Sequence, residues 1–174
     1  MKIPAAKILF DAEDRKRILA EIDEILQTGQ LTLGPRSKLF EERFSAKVGV
    51  PHAVAVSSGT SALEICLRHF GVAGKEVIVP TNTFFATPAA VMHAGGIPRF
   101  ADIEAETLAI DPAKLESLIS ARTAGVVLVH IGGWISKHVA RIQELCRKHN
   151  LFLLEDAAHA HGSTIDGKQA GSLG

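Results

Sequence analysis

Asp156 is the residue whose chemistry most needs a partner. It ends the run Leu151-Phe152-Leu153-Leu154-Glu155-Asp156, and His159 and His161 follow within Ala157-Ala158-His159-Ala160-His161-Gly162. An unbroken apolar run after a helical pattern reads as a strand buried on both faces of a parallel sheet. Ligands of open α/β sheets sit outside the carboxyl ends of such strands. An acid placed there costs desolvation energy unless a cation or a donor meets it. Three chemistries suit it. It is a plain capping acid, or a metal ligand with Glu155, His159 and His161, with Asp102 and His130 as further donors from other strand ends. Or it is a carboxylate facing the protonated ring nitrogen that pyridoxal phosphate needs to act as an electron sink.

Two other stretches occupy equivalent places. Ser57-Ser58-Gly59-Thr60-Ser61 lies between a strand pattern and a helix start. Free N–H groups, hydroxyls and a glycine there make a phosphate cup, or else Ser58 or Thr60 simply caps the helix. Neither GxxxxGK[ST] nor GxGxxG occurs. Thr81-Asn82-Thr83-Phe84-Phe85-Ala86-Thr87 follows the second strand pattern. Adjacent phenylalanines at a helix start do not share one helix face. One can offer its ring to a flat ligand, or both pack in the core or on a partner subunit.

The elements that must position these residues follow from periodicity. Residues 11–28 and 35–46 read as amphipathic helices, the first with one buried face, joined by a glycine-bounded loop. From Pro51 the pattern alternates. Strands are expected at Ala53–Val56, Glu76–Val79, Ile97–Asp102, Gly125–His130 and Leu151–Glu155. Helices are expected at Ala62–Phe70, Phe84–His93, Pro112–Ser120 and Ser136–Asn150, with a turn at Asp166-Gly167. Strands separated by helix-length crossovers make a mainly parallel sheet covered on both faces, the α/β class. The expected organisation is a helical arm over 1–50 and an incomplete cofactor-binding domain over 51–174. The last segment supplies nothing to cover the fifth strand, which reads as the front part of a longer protein.

Composition excludes some functions. The chain is 47% hydrophobic and 22% charged, and Lys+Arg and Asp+Glu stand at 19 each. This balance, without a basic run, gives no electrostatic support to nucleic acid or an anionic membrane as partner. No signal-peptide core or membrane-length apolar run is present. Cys66 and Cys146, with no CxxC, read as reduced thiols in a cytoplasmic protein.

Taken together, the stretches resemble the DegT/DnrJ/EryC1/StrS family of sugar aminotransferases, of pyridoxal-phosphate fold type I. The likeness runs from Gly34-Pro35 and Phe40-Glu41 through Ser58-Gly59-Thr60-Ser61-Ala62-Leu63 to Glu76-Val77-Ile78-Val79-Pro80-Thr81-Asn82-Thr83-Phe84. It continues through Gly95-Gly96-Ile97-Pro98 and Val129-His130 to Glu155-Asp156-Ala157-Ala158-His159 and Gly171-Ser172-Leu173-Gly174. The resemblance implies that Gly59, Thr60 and Ser61 hold the cofactor phosphate. It implies that Phe84 stacks on the ring, that Asp156 pairs with the ring nitrogen, and that His159 lies near the phenolic oxygen. It implies amino transfer from Glu or Gln to a keto sugar nucleotide, by a homodimer.

The family's Schiff-base lysine lies beyond the segment matching Gly171–Gly174, so no catalytic residue is assigned here. Lys168 matches a peripheral turn, and the chain alone is expected to be inactive. A relative that replaces the lysine by histidine, a sugar dehydratase, is the alternative within the family. A metal-dependent hydrolase using Glu155, Asp156, His159 and His161, or a non-catalytic binding remnant, is the alternative outside it. His130-Ile131-Gly132-Gly133-Trp134 departs from the family pattern, which often has an aromatic directly after the His.

Overall fold

The structure, a computed structural model, describes residues 8–174, so the first seven residues of the expected arm lie outside it. Helices α1 (Ala12–Thr28), α2 (Pro35–Val48) and α3 (Gly59–His69) come first. Then follow β1 (Glu76–Pro80), α4 (Ala86–His93), β2 (Ile97–Ala101), α5 (Pro112–Leu118) and β3 (Thr123–Val129). The chain continues with α6 (Val139–Lys148), β4 (Phe152–Asp156) and a hairpin of β5 (Thr164–Ile165) and β6 (Lys168–Gln169). Strands β1 to β4 form one parallel sheet in the order β2-β1-β3-β4. The class is α/β, as the alternating pattern implied.

Side-chain alternation divides the core in two. Ile78, Val126, Leu128, Leu153 and Glu155 point to the face covered by Leu115 of α5 and by Ile142, Leu145 and Cys146 of α6. Val77, Val79, Val127, Val129 and Leu154 point to the other face, covered by Leu63 and Leu67 of α3 and Ala90 and Val91 of α4. Burial pushes the Cys146 thiol up to about 11, so it packs as an inert apolar group. Pro98, which has no N–H to give a ladder, lies in the edge strand β2. At Gly125 a Cβ would run into the Phe152 ring, which stacks on Phe70 at 4.3 Å between centroids.

Several expectations are corrected. Ala53–Val56 joins no ladder; the Ala55 N–H is taken instead by Glu41 of α2 at 2.8 Å, and Val54 is exposed. A strand needs a neighbour, and the sheet's four members all lie elsewhere. No residue of α1 is buried: Ile18, Leu19, Ile22 and Leu26 of its apolar stripe are exposed and Ile25 is only partly covered. The strand taken as buried on both faces, β4, is an edge strand and half-buried, whereas β1 is buried throughout. Helix α3 starts three residues early, at Gly59, because Ser58 caps it; α4 starts after both phenylalanines and α6 only at Val139. The Asp166-Gly167 turn closes the β5–β6 hairpin with φ of 49° and 75°.

Candidate functional site

The carboxyl ends of β1, β3 and β4 open onto one cavity of about 220 Å³, walled by the N-terminus of α3 and the loop before α4. Gly59, Thr60, Phe84, Asp156 and His159 all line it. At the α3 end, Ser58 Oγ accepts the Ser61 N–H at 3.1 Å and the Ser58 carbonyl accepts the Ala62 N–H. The N–H groups of Gly59 and Thr60 find no partner among the described residues, which leaves a positively polarised helix end. Apart from its chain neighbours and its own helix backbone, no described atom lies within 4 Å of where a Gly59 Cβ would sit. Ser61 does not line the cavity; its hydroxyl meets Ser58 Oγ at 3.0 Å.

Asp156 lines the same cavity. Its Oδ2 accepts from Thr87 Oγ1 at 3.2 Å and its Oδ1 from the Ala158 N–H at 3.3 Å, while its carbonyl accepts the His130 N–H. Thr87 is buried, and Thr83 Oγ1 stands 2.8 Å behind it. Phe84 is 64% exposed and Phe85 71% exposed, so neither ring packs in the core. Phe84 lines the cavity and tilts against Phe85.

His159 is held from the β3 side. The Gly132 N–H donates to its Nδ1 at 3.2 Å, which puts the proton of the neutral ring on Nε2. The turn that supplies this donor is fixed by Gly133, at φ 86°, where a Cβ would press on the His159 carbonyl at 3.0 Å. Ser163 Oγ donates to the Gly133 carbonyl at 2.7 Å. Trp134, the chain's single tryptophan, is exposed on the same loop.

The residues grouped as metal donors are dispersed. Glu155 points away from Asp156, as strand alternation requires. It accepts from His130 Nε2 at 2.8 Å and from the N–H groups of Gly171 (2.8 Å), Leu173 (2.5 Å) and Gly174 (2.7 Å). His161 packs edge-on against Phe44 of α2, and Asp102 accepts from the Ile103 N–H. Among the described residues no group of three or more His, Cys, Asp or Glu is placed to hold a metal. Burial alone would raise the Glu155 pKa, but the His130 hydrogen bond and the Gly171 and Leu173 N–H groups together hold it below its ordinary value. His130 Nδ1 is buried without a partner.

Sequence reasoning missed Thr87 and the His130–Glu155 pair. The signal for Thr87 is its i,i+4 spacing from Thr83. For the pair it is that both residues end apolar strand runs that lie side by side. The chemistry available in the cavity is thus anion binding at a helix N-terminus, an acceptor carboxylate, and aromatic and imidazole contacts.

Comparison with known proteins gives the family. The model of the DegT/DnrJ/EryC1/StrS aminotransferase family matches residues 12–174. Spore coat polysaccharide biosynthesis protein SpsC of Bacillus subtilis is 44% identical over 160 residues, 91% of this chain and 41% of that protein. GDP-perosamine synthase of Caulobacter vibrioides is 38% identical over 174 residues, 99% of this chain and 46% of its own. The crystal structure of S. venezuelae DesV in complex with a ketimine intermediate superposes with a TM-score of 0.88 at 36% identity, covering 91% of this chain and 43% of that one. The chain spans less than half the length of these relatives. No helix among the described residues is long and apolar enough to cross a membrane.

Proposed function

Because the chain belongs to the DegT/DnrJ/EryC1/StrS aminotransferase family, we propose that it forms the N-terminal part of a cytoplasmic, pyridoxal-phosphate-dependent sugar aminotransferase. The enzyme would move an amino group from Glu or Gln to a keto sugar nucleotide, as a homodimer. The observation that carries this reading is that one cavity is lined by a bare helix N-terminus at Gly59-Thr60, by the Phe84 ring and by Asp156.

The residues suit the cofactor. The α3 N-terminus, with the Gly59 and Thr60 N–H groups, would hold the phosphate, and Ser61 would contribute through the cap it shares with Ser58. Phe84 would stack on the ring. Asp156, kept in place by Thr87 and Ala158, would keep a proton on the ring nitrogen. His159 would offer its Nε2–H to the phenolic oxygen. Pyridoxal phosphate, when bound, supplies the electron sink for amino transfer. The chain's own residues bind and orient it. The lysine that would move the proton at carbon is expected in the chain beyond Gly174, so residues 1–174 alone should bind without turnover.

The test has two parts. Pyridoxal phosphate titrated into the chain should bind, and binding should fall in Asp156→Asn. A polypeptide extended beyond Gly174, loaded with the cofactor, should change its absorbance on addition of glutamate or glutamine. Absence of that change with both donors would sink the aminotransferase reading.

A further inference from the structure

We infer that Thr87, backed by Thr83, is a positioning residue for Asp156: its buried hydroxyl fixes the orientation in which the carboxylate faces a ring nitrogen in the cavity. The inference rests on the cofactor reading above for its ligand, though not for its geometry.

Thr87 lies in the first turn of α4 and is 1% exposed. Threonine is a poor helix former, and a buried hydroxyl costs free energy unless it is bonded. Its neighbours in α4 are alanines, a proline, a valine and a methionine, so packing alone would suit valine better. The hydroxyl instead bridges Asp156 Oδ2 at 3.2 Å and Thr83 Oγ1 at 2.8 Å. An ionised carboxylate only accepts, so Thr87 donates to Asp156, and its own oxygen is then free to accept from Thr83. The chain of donation runs Thr83 to Thr87 to Asp156, each bond polarising the next.

Asp156 is held from the other side by the Ala158 N–H on Oδ1 at 3.3 Å. One donor on each oxygen fixes the carboxylate plane. Each oxygen keeps a further lone pair, and the cavity that Asp156 lines is where it can be used. Threonine suits this role because its branched Cβ restricts χ1.

Valine keeps the shape of threonine and removes the donor. Thr87→Val should weaken binding of pyridoxal phosphate about tenfold, the scale of one lost hydrogen bond to a charged group. Ring-nitrogen protonation, read from the ¹⁵N shift of labelled pyridoxal phosphate, should fall with it. Without ligand, exchange of the Ala158 amide should quicken about tenfold as the carboxylate gains freedom. Thr87→Ser should restore all three values, and Thr83→Val should weaken binding about threefold. Unchanged affinity and unchanged Ala158 exchange in Thr87→Val overturn the inference, as does failure of serine to restore them. If the unaltered chain takes up no pyridoxal phosphate, the cofactor reading fails, and Ala158 exchange still decides the positioning role. Should Thr87→Val not fold, Thr83→Val decides: an amide exchange at Ala158 equal to that of the unaltered chain overturns the relay.

Discussion

Glu155 and Asp156, adjacent in β4, send their carboxylates to opposite faces of the sheet and to opposite tasks. Glu155 is closed off from solvent and takes four hydrogen bonds, from His130, Gly171, Leu173 and Gly174. Asp156 takes two from Thr87 and Ala158 and opens on the cavity. One carboxylate is spent on structure, and its neighbour keeps lone pairs open to the cavity.

Glu155→Gln should therefore destabilise strongly. An amide cannot accept on its nitrogen, so at least one of the inward N–H groups loses its partner. The expected loss is about 3 kcal/mol, read as a lower urea midpoint. Loss of less than about 1 kcal/mol would mean that the four hydrogen bonds contribute little.

The same carboxylate predicts acid lability. The folded pKa of Glu155 is held below its ordinary value of 4.5, so its contribution is full above the unfolded value and disappears as pH falls through the folded one. Unfolding free energy should drop from about pH 4.5 downward, and Glu155→Gln should flatten that part of the profile. An identical acid slope in both proteins would refute this.

Phe84→Ala should separate binding from stability. The ring is 64% exposed, so the melting temperature should hardly move. A stacking contact contributes about 1 kcal/mol, so pyridoxal phosphate affinity should fall roughly fivefold. Equal affinity in the two proteins would remove Phe84 from the site.

Gly125→Ala should fail on packing. The added methyl collides with the Phe152 ring, which is itself stacked on Phe70. Overpacking of this kind costs about 2 kcal/mol, measurable by denaturant unfolding. Gly125→Ala combined with Phe152→Leu should recover part of it.

Much of this was legible in residue order. The alternation from Glu76 onward set the parallel sheet, and Asp156 was legible as an acid at the carboxyl end of a strand. What periodicity could not carry was neighbourhood. Ala53–Val56 has strand composition, yet pairing is a property of two segments, and no other strand lies against it among the described residues. Leu151–Glu155 is apolar enough for a central strand, yet its place at the sheet edge follows from strand order. Glu155 and His159 looked alike as metal donors in sequence. One-residue alternation then put Glu155 with His130 on the other face, which only the strand phase could reveal. Thr87 carries no motif at all; its meaning comes from Asp156, 69 residues away.

The hydrogen bonds that gather Gly171, Leu173 and Gly174 onto Glu155 also describe a folding event. They close a loop of only 16 to 19 residues, which already contains the Asp166-Gly167 hairpin. Loops near this length close in well under a microsecond, far faster than parallel strands joined by helical crossovers find each other. The stretch from Phe152 onward is thus a locally closing unit, seeded by a two-residue turn and locked by one ionised side chain. The segment after β4 is gathered back onto it by contacts close in sequence, while Asp156 itself is set by Thr87 and the β3 ladder.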